Sequence, residues 1–146
     1  MVALTAADRK APGMMGLLIA DKDMDVRKQM AELFISAGYY VIVTNSAANA
    51  LEGILKKTAQ VVLLGSEFDE WTAGELVPLL KKCNPELTII FVSEEAPLGL
   101  LRKLRREGIF YHALKPMNSE DCEEIRQAVE CAFDNVSHRR GARSHN

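Results

Sequence analysis

"VVLLGSEFDEW", Val61 to Trp71, sets four apolar β-formers directly against a glycine and then a polar, acidic run. Residues 61–64 show no polar alternation, the pattern of a strand covered on both faces, as in a parallel sheet clad by helices. Gly65 then falls at the C-terminal tip of that strand. Four further runs of the same kind flank it: "LLIA" (17–20), "YVIV" (40–43), "IIFV" (89–92) and "IFYHAL" (109–114).

The segments between these runs have helical period. Val26, Met30, Leu33, Phe34 and Ala37 fall on one stripe that Gly38 should end, and Ala47, Ala50, Leu51, Ile54 and Leu55 make a second behind a Ser46 N-cap. Leu76, Leu79, Leu80 and Cys83 form a third stripe, with Pro78 near the helix start. A short fourth helix should open at Pro97 with Leu98, Leu101 and Leu104 inward. The fifth follows Asn118 or Ser119 as cap and buries Cys122, Ile125, Val129, Ala132 and Phe133.

Connections of roughly 16 to 24 residues, each holding one helix, are what parallel strands require, and right-handed crossovers then place helices on both faces. The expected class is α/β, a doubly wound five-stranded parallel sheet. Ligands of such sheets bind outside the carboxyl ends of the strands. The residues delivered there are Asp21, Gly65, Ser93 and Lys115.

A chain of 146 residues suits one domain with a real core. We expect a mobile lead over residues 1–15, the domain over 16–134, and a basic polar tail over 135–146, with no effector domain after Phe133. The net charge of −2 provides no general attraction for nucleic acid. Cys83, Cys122 and Cys131 have neither metal-ligand spacing nor an even count, which suits a reducing cytoplasm. No apolar run approaches the roughly 18 residues of a membrane span.

"LLIADKD", "VVLLG", "IIFVS" and "HALKP", in this order and spacing over roughly Gly16 to Phe133, resemble the phosphorylation pocket of the receiver domains of bacterial response regulators. The resemblance implies a flavodoxin-like fold with strand order 2-1-3-4-5. It implies an aspartate after the third strand that takes phosphate from a histidine kinase, with Mg²⁺ held by acids there and after the first strand. It further implies a Ser or Thr after the fourth strand, a lysine after the fifth followed by a proline whose preceding bond is often cis, and an aromatic switch residue three places before that lysine.

Position by position, half of that pattern is kept. Asp21 matches the first of two adjacent acids, but Lys22 occupies the second, the one closest to the metal in the family, and Gly65 occupies the phosphoacceptor position. Ser93 and Lys115-Pro116 are retained, and His112 stands at the switch position. The loop "SEFDEWTAG" lacks the usual Met-Pro and is one residue longer than the common form; placing the extra residue earlier would bring Ser66 to the acceptor position, still not a carboxylate.

A conventional pocket combines three carboxylates with one lysine, matching one hard divalent cation. Here Asp21 is opposed by Lys22 and Lys115, so the formal sum is +1, or 0 if Asp23 turns inward. Such a pocket should repel Mg²⁺, and with no carboxylate at residue 65 it has no nucleophile for an aspartyl phosphate. The expected protein is therefore a stand-alone, non-enzymatic receiver that needs no cofactor or metal and signals through protein contacts. The alternative is a phosphorelay receiver that autophosphorylates at a shifted carboxylate, Glu67 or Asp69.

The expected interaction face is the fourth helix, fifth strand and fifth helix, around Arg102, Arg105, Arg106 and His112, the surface the resemblance assigns to dimerisation and output. Partners are then a kinase, receiver or output protein, or a second copy of the chain; membranes are not expected, and nucleic acid is disfavoured. The plainer readings are that Lys115 is a structural partner of Asp21, that His112 is a partly buried ring, that "RKLRRE" is a solvated helix face and that "SHRRGAR" is a disordered tail. Trp71 reads equally as core or as an exposed anchor.

Overall fold

The computed structural model describes residues 2–4, 15–66, 68 and 71–144. Its strands are β1 (Val2–Leu4), β2 (Gly16–Ala20), β3 (Tyr40–Thr44), β4 (Val61–Leu64), β5 (Thr88–Ser93) and β6 (Tyr111–Leu114). Its helices are α1 (Met24–Ser36), α2 (Ala47–Leu55), α3 (Ala73–Cys83), α4 (Leu98–Glu107) and α5 (Ser119–Ser144). The sheet order is β1-β3-β2-β4-β5-β6, and β3-β2-β4-β5-β6 are parallel. Counted from Gly16 this is the expected order 2-1-3-4-5.

Alternation along the strands divides the core. Leu17, Ile19, Val61, Leu63, Ile90 and Val92 face Met30 and Phe34 of α1 and Ile125, Val129 and Phe133 of α5. Leu18, Val62, Leu64, Ile89 and Phe91 face Ile54 of α2, Leu76 and Leu80 of α3 and Leu104 of α4. Each such fully buried side chain contributes about 1.5–3 kcal/mol relative to exposure. Every side chain of β4 is buried, as its unbroken apolar pattern implied. Ser46 Oγ accepts from Asn49 N at 3.2 Å, and Gly38 leaves α1 at φ +92°, a backbone that favours glycine.

Several local expectations need correction. Val2–Leu4, within the stretch read as a mobile lead, pair antiparallel with β3, so the described sheet has six strands. A short apolar triplet there covers an edge that would otherwise present unpaired backbone groups. Residues 135–144, within the stretch read as a basic polar tail with "SHRRGAR" most simply disordered, continue α5. Val136 is buried, and Arg139 Nη1 donates to the Glu86 carbonyl at 2.9 Å, which holds the extension to the loop before β5. Pro97 is the N-cap of α4, outside its first turn, and Leu98 is exposed, so Leu100, Leu101 and Leu104 make the inward stripe. Leu55, at the end of α2, is also exposed.

Candidate functional site

The tips of β2, β4, β5 and β6 converge as the sequence suggested, but the side chains pair differently. Asp21, next after β2, is 5 % exposed; its N–H donates to Thr44 O at 3.1 Å and its Oδ1 accepts from Asp23 N at 2.9 Å. Gly65 is anchored by its own N–H on Ala20 O at 2.8 Å. The Asp21 carboxyl lies over it: a Cβ on Gly65 would stand 2.6 Å from Asp21 Cγ and Oδ2 and 2.9 Å from Oδ1. Those distances are shorter than van der Waals contact, so glycine at 65 and the inward Asp21 are one arrangement. Burial pushes the Asp21 pKa up; the Asp23 N–H and the Lys115 charge act against it without cancelling it.

Lys115 does not bond to Asp21, as the sequence suggested, but to the next acid along, Asp23. Its Nζ is 3.3 Å from Asp23 Oδ2, while Asp23 Oδ1 caps α1 by accepting from Asp25 N at 2.9 Å and Val26 N at 3.2 Å. The Val26 N–H above all holds the Asp23 pKa below its ordinary value; burial opposes it, and Lys115 and then the Asp25 N–H add to the lowering. Asp23, though partly exposed, therefore joins the cluster through Lys115, and the formal charge of Asp21, Lys22, Asp23 and Lys115 is 0. Lys22 is exposed, and Arg27 Nη1 clasps the backbone between them, donating to Asp21 O at 2.7 Å and Lys22 O at 2.9 Å. Arg27 was invisible as a site residue because it sits a full turn into α1.

Ser93 is fully buried at the tip of β5, and its carbonyl accepts from Lys115 N at 3.0 Å. Its hydroxyl meets His112: Oγ and Nε2 are 2.9 Å apart. The half-buried imidazole also stacks on Phe91, its register partner across the parallel pair, with centroids 5.3 Å apart at 27°. Burial, reinforced by Arg105 and opposed by Glu124, lowers the His112 pKa from 6.5. Among the described residues no peptide bond is cis, that before Pro116 included.

The donor set does not fit Mg²⁺. A hard cation asks for six or more oxygens with carboxylates among them, whereas here one carboxyl is buried and hydrogen-bonded and the other is shared between a helix end and an ammonium. Among the described residues no three His, Cys, Asp or Glu side chains gather in one place. Glu67 and Asp69, the alternative acceptors, lie outside the described residues. Trp71 is half-buried against the α2–α3–α4 side of the core, and its carbonyl accepts from Phe68 N at 2.9 Å.

Beside this cluster, Arg102, Arg105 and Arg106 are exposed on α4, and Glu120, Glu123 and Glu124 on α5. Phe110, Tyr111 and Leu114 are exposed between them at 40 %, 40 % and 53 %, and Tyr111 Oη donates to Glu124 at 3.2 Å. This apolar strip escaped the sequence reading because β6 is an edge strand that α4 and α5 cover only in part. Among the described residues no helix is long and apolar enough to cross a membrane.

Residues 17–130 match the family model described as the response regulator receiver domain. The chain is 25 % identical over 114 residues to sporulation initiation phosphotransferase F of Bacillus subtilis, covering 78 % of this chain and 90 % of that one. It is 25 % identical over 118 residues to the DNA-binding transcriptional regulator NtrC of Azospirillum brasilense, covering 81 % of this chain but only 24 % of that longer protein. The fold is similar to the crystal structure of a CheY-like response regulator receiver domain protein from Methanospirillum hungatei JF-1, with a TM-score of 0.73, 21 % identity, and 84 % and 99 % of the two chains covered.

Proposed function

This chain belongs to the response regulator receiver domain family of two-component signalling, and from that membership we propose that it works by protein contact without phosphoryl transfer. The observation that carries the reading is the Asp21 carboxyl standing where a side chain at residue 65 would begin. Among the described residues no carboxylate projects from the tip of β4, and Lys115, with Ser93 one of the retained pocket residues, is already engaged by Asp23. Among the described residues, a neutral cluster with a glycine at its centre offers neither a carboxylate nucleophile nor a cation site. Output then resides in the face of α4, β6 and α5, where an exposed apolar strip lies between basic and acidic helix rows. The partner is a signalling protein of the same pathway or a second copy of this chain, met in the cytoplasm.

The test is treatment of the purified chain with acetyl phosphate and Mg²⁺, followed by intact-mass spectrometry with and without hydroxylamine. No labile phosphoryl adduct is expected. An adduct mapping to Glu67 or Asp69 overturns the proposal and assigns a phosphorelay role. For the contact surface, reversing Arg102, Arg105 and Arg106 to Glu should abolish partner binding; unchanged affinity overturns that assignment.

A further inference from the structure

We propose that Ser93 and His112 form a proton-operated latch: the neutral imidazole is held against β5, and its protonation releases the ring into the cleft beside α4, remodelling the α4–β6 face. This rests on the phosphorylation-independent reading, since it requires Ser93 to answer to His112 and not to a phosphoryl group.

Four observations converge on the ring. It is half-buried, it stacks on Phe91, its Nε2 lies 2.9 Å from a fully buried hydroxyl, and a cleft of about 210 Å³ lined by Arg105, Ile109, Phe110, Tyr111 and His112 opens beside it. The charged groups facing it are Arg105 from α4 and Glu124 from α5, while β5 contributes only Phe91 and Ser93. In the Nδ1–H tautomer the Ser93 hydroxyl donates to Nε2. A proton added at Nε2 makes that atom a donor and removes the acceptor for the buried hydroxyl hydrogen, an arrangement that costs free energy. The cation is also disfavoured by burial and by Arg105, which Glu124 only partly offsets, whereas a released ring recovers its hydration.

The sign follows from linkage. The inward ring has a pKa below 6.5, so the inward state binds fewer protons than a released one. Its advantage is complete above 6.5 and declines as pH falls below that value, by no more than about tenfold in population ratio per pH unit for one proton.

The experiment follows the histidine Cε1 signals and backbone amides of the full chain by NMR from pH 8 to 5, in wild type, His112→Phe and Ser93→Ala. His112 should titrate below 6.5, with the amides of Ser93, Glu94 and Arg105 moving at the same midpoint in wild type and not in His112→Phe. In Ser93→Ala the midpoint should rise toward 6.5. A midpoint at or above 6.5, amides that do not follow the ring, amide changes that persist in His112→Phe, or an unmoved midpoint in Ser93→Ala each overturns the latch. None of these readouts uses a phosphodonor, so their failure leaves the contact-only reading standing, whereas an acyl phosphate would defeat that reading without touching the titration.

Discussion

At residue 65 the space that any side chain needs is already taken by Asp21, a short buried acid held by Asp23 N. Gly65→Ala should therefore lower stability by about 1–3 kcal/mol, the usual cost of overpacking a close-fitting site. Denaturant unfolding of this variant and of Gly65→Ala with Asp21→Ala checks it, since the second change should recover most of the loss. Gly65→Asp should cost more at neutral pH, because two carboxylates in one cleft cannot both ionise cheaply. A second expectation concerns Asp21 alone. Its pKa is raised in the fold, so the stability it contributes is present below 3.8 and lost as pH rises through the folded value. Asp21→Asn keeps the acceptor for Asp23 N and removes the desolvated charge. It should raise stability at pH 7 by about 0.5–2 kcal/mol, with the gain fading toward pH 3. Melting curves at both pH values decide it, and a loss at pH 7 would show that Lys115 compensates the charge fully.

At the scale of an element, α1 begins with an acid serving two structures at once. Asp23 caps the helix through one oxygen and holds Lys115 of the β6–α5 connection through the other. Asp23→Ala should cost about 0.5–2 kcal/mol as a lost N-cap, while Asp23→Asn keeps most of the cap and forfeits a partly exposed ion pair worth at most about 1 kcal/mol. Because the Asp23 pKa is depressed, the carboxylate's advantage over Asn exists above 3.8 and is lost as pH falls below it. Unfolding of both variants at pH 7 and pH 3 tests the order and its disappearance. Some caps were legible in the sequence, such as Ser46; the capping box of α3, where Thr72 N donates to Glu75 at 3.2 Å, was not among the caps read there. That Asp23 also reaches Lys115, 92 residues away, was not legible.

Across the whole molecule, the sheet brings four strand tips to one edge, and their summed charge decides what can bind there. With Asp21 buried and Asp23 paired, millimolar Mg²⁺ should leave the melting temperature unchanged beyond a general salt effect, since a ligand stabilises only by binding the native state. A saturable rise that Asp21→Ala removes would reveal a cation site. The same edge should be indifferent to beryllofluoride, a phosphate mimic, and partner affinity measured with and without it is expected to be equal. Variation in affinity should instead follow the charges on α4 and α5.

The α/β class and the residue types at the strand tips were determined by the sequence itself, because unbroken apolar runs, helical stripes and capping residues are local patterns with local causes. The missing carboxylate at residue 65 belongs to the same kind of knowledge. Only the tertiary structure decided where the remaining side chains point. Asp21 swings over Gly65 because the glycine leaves room and Asp23 N fixes its Oδ1, and Lys115 goes to Asp23 because that carboxylate is the more ionised and the more open of the two. His112 meets Ser93 because β5 and β6 pair in the register that sets its ring over Phe91. Val2–Leu4 form a strand because β3 is an edge, and α5 runs on to Ser144 past Val136 and Arg139, which find the core and the Glu86 carbonyl. Each of these turns on a neighbour far away in the chain, and no spacing in the sequence encodes which of two nearby partners wins.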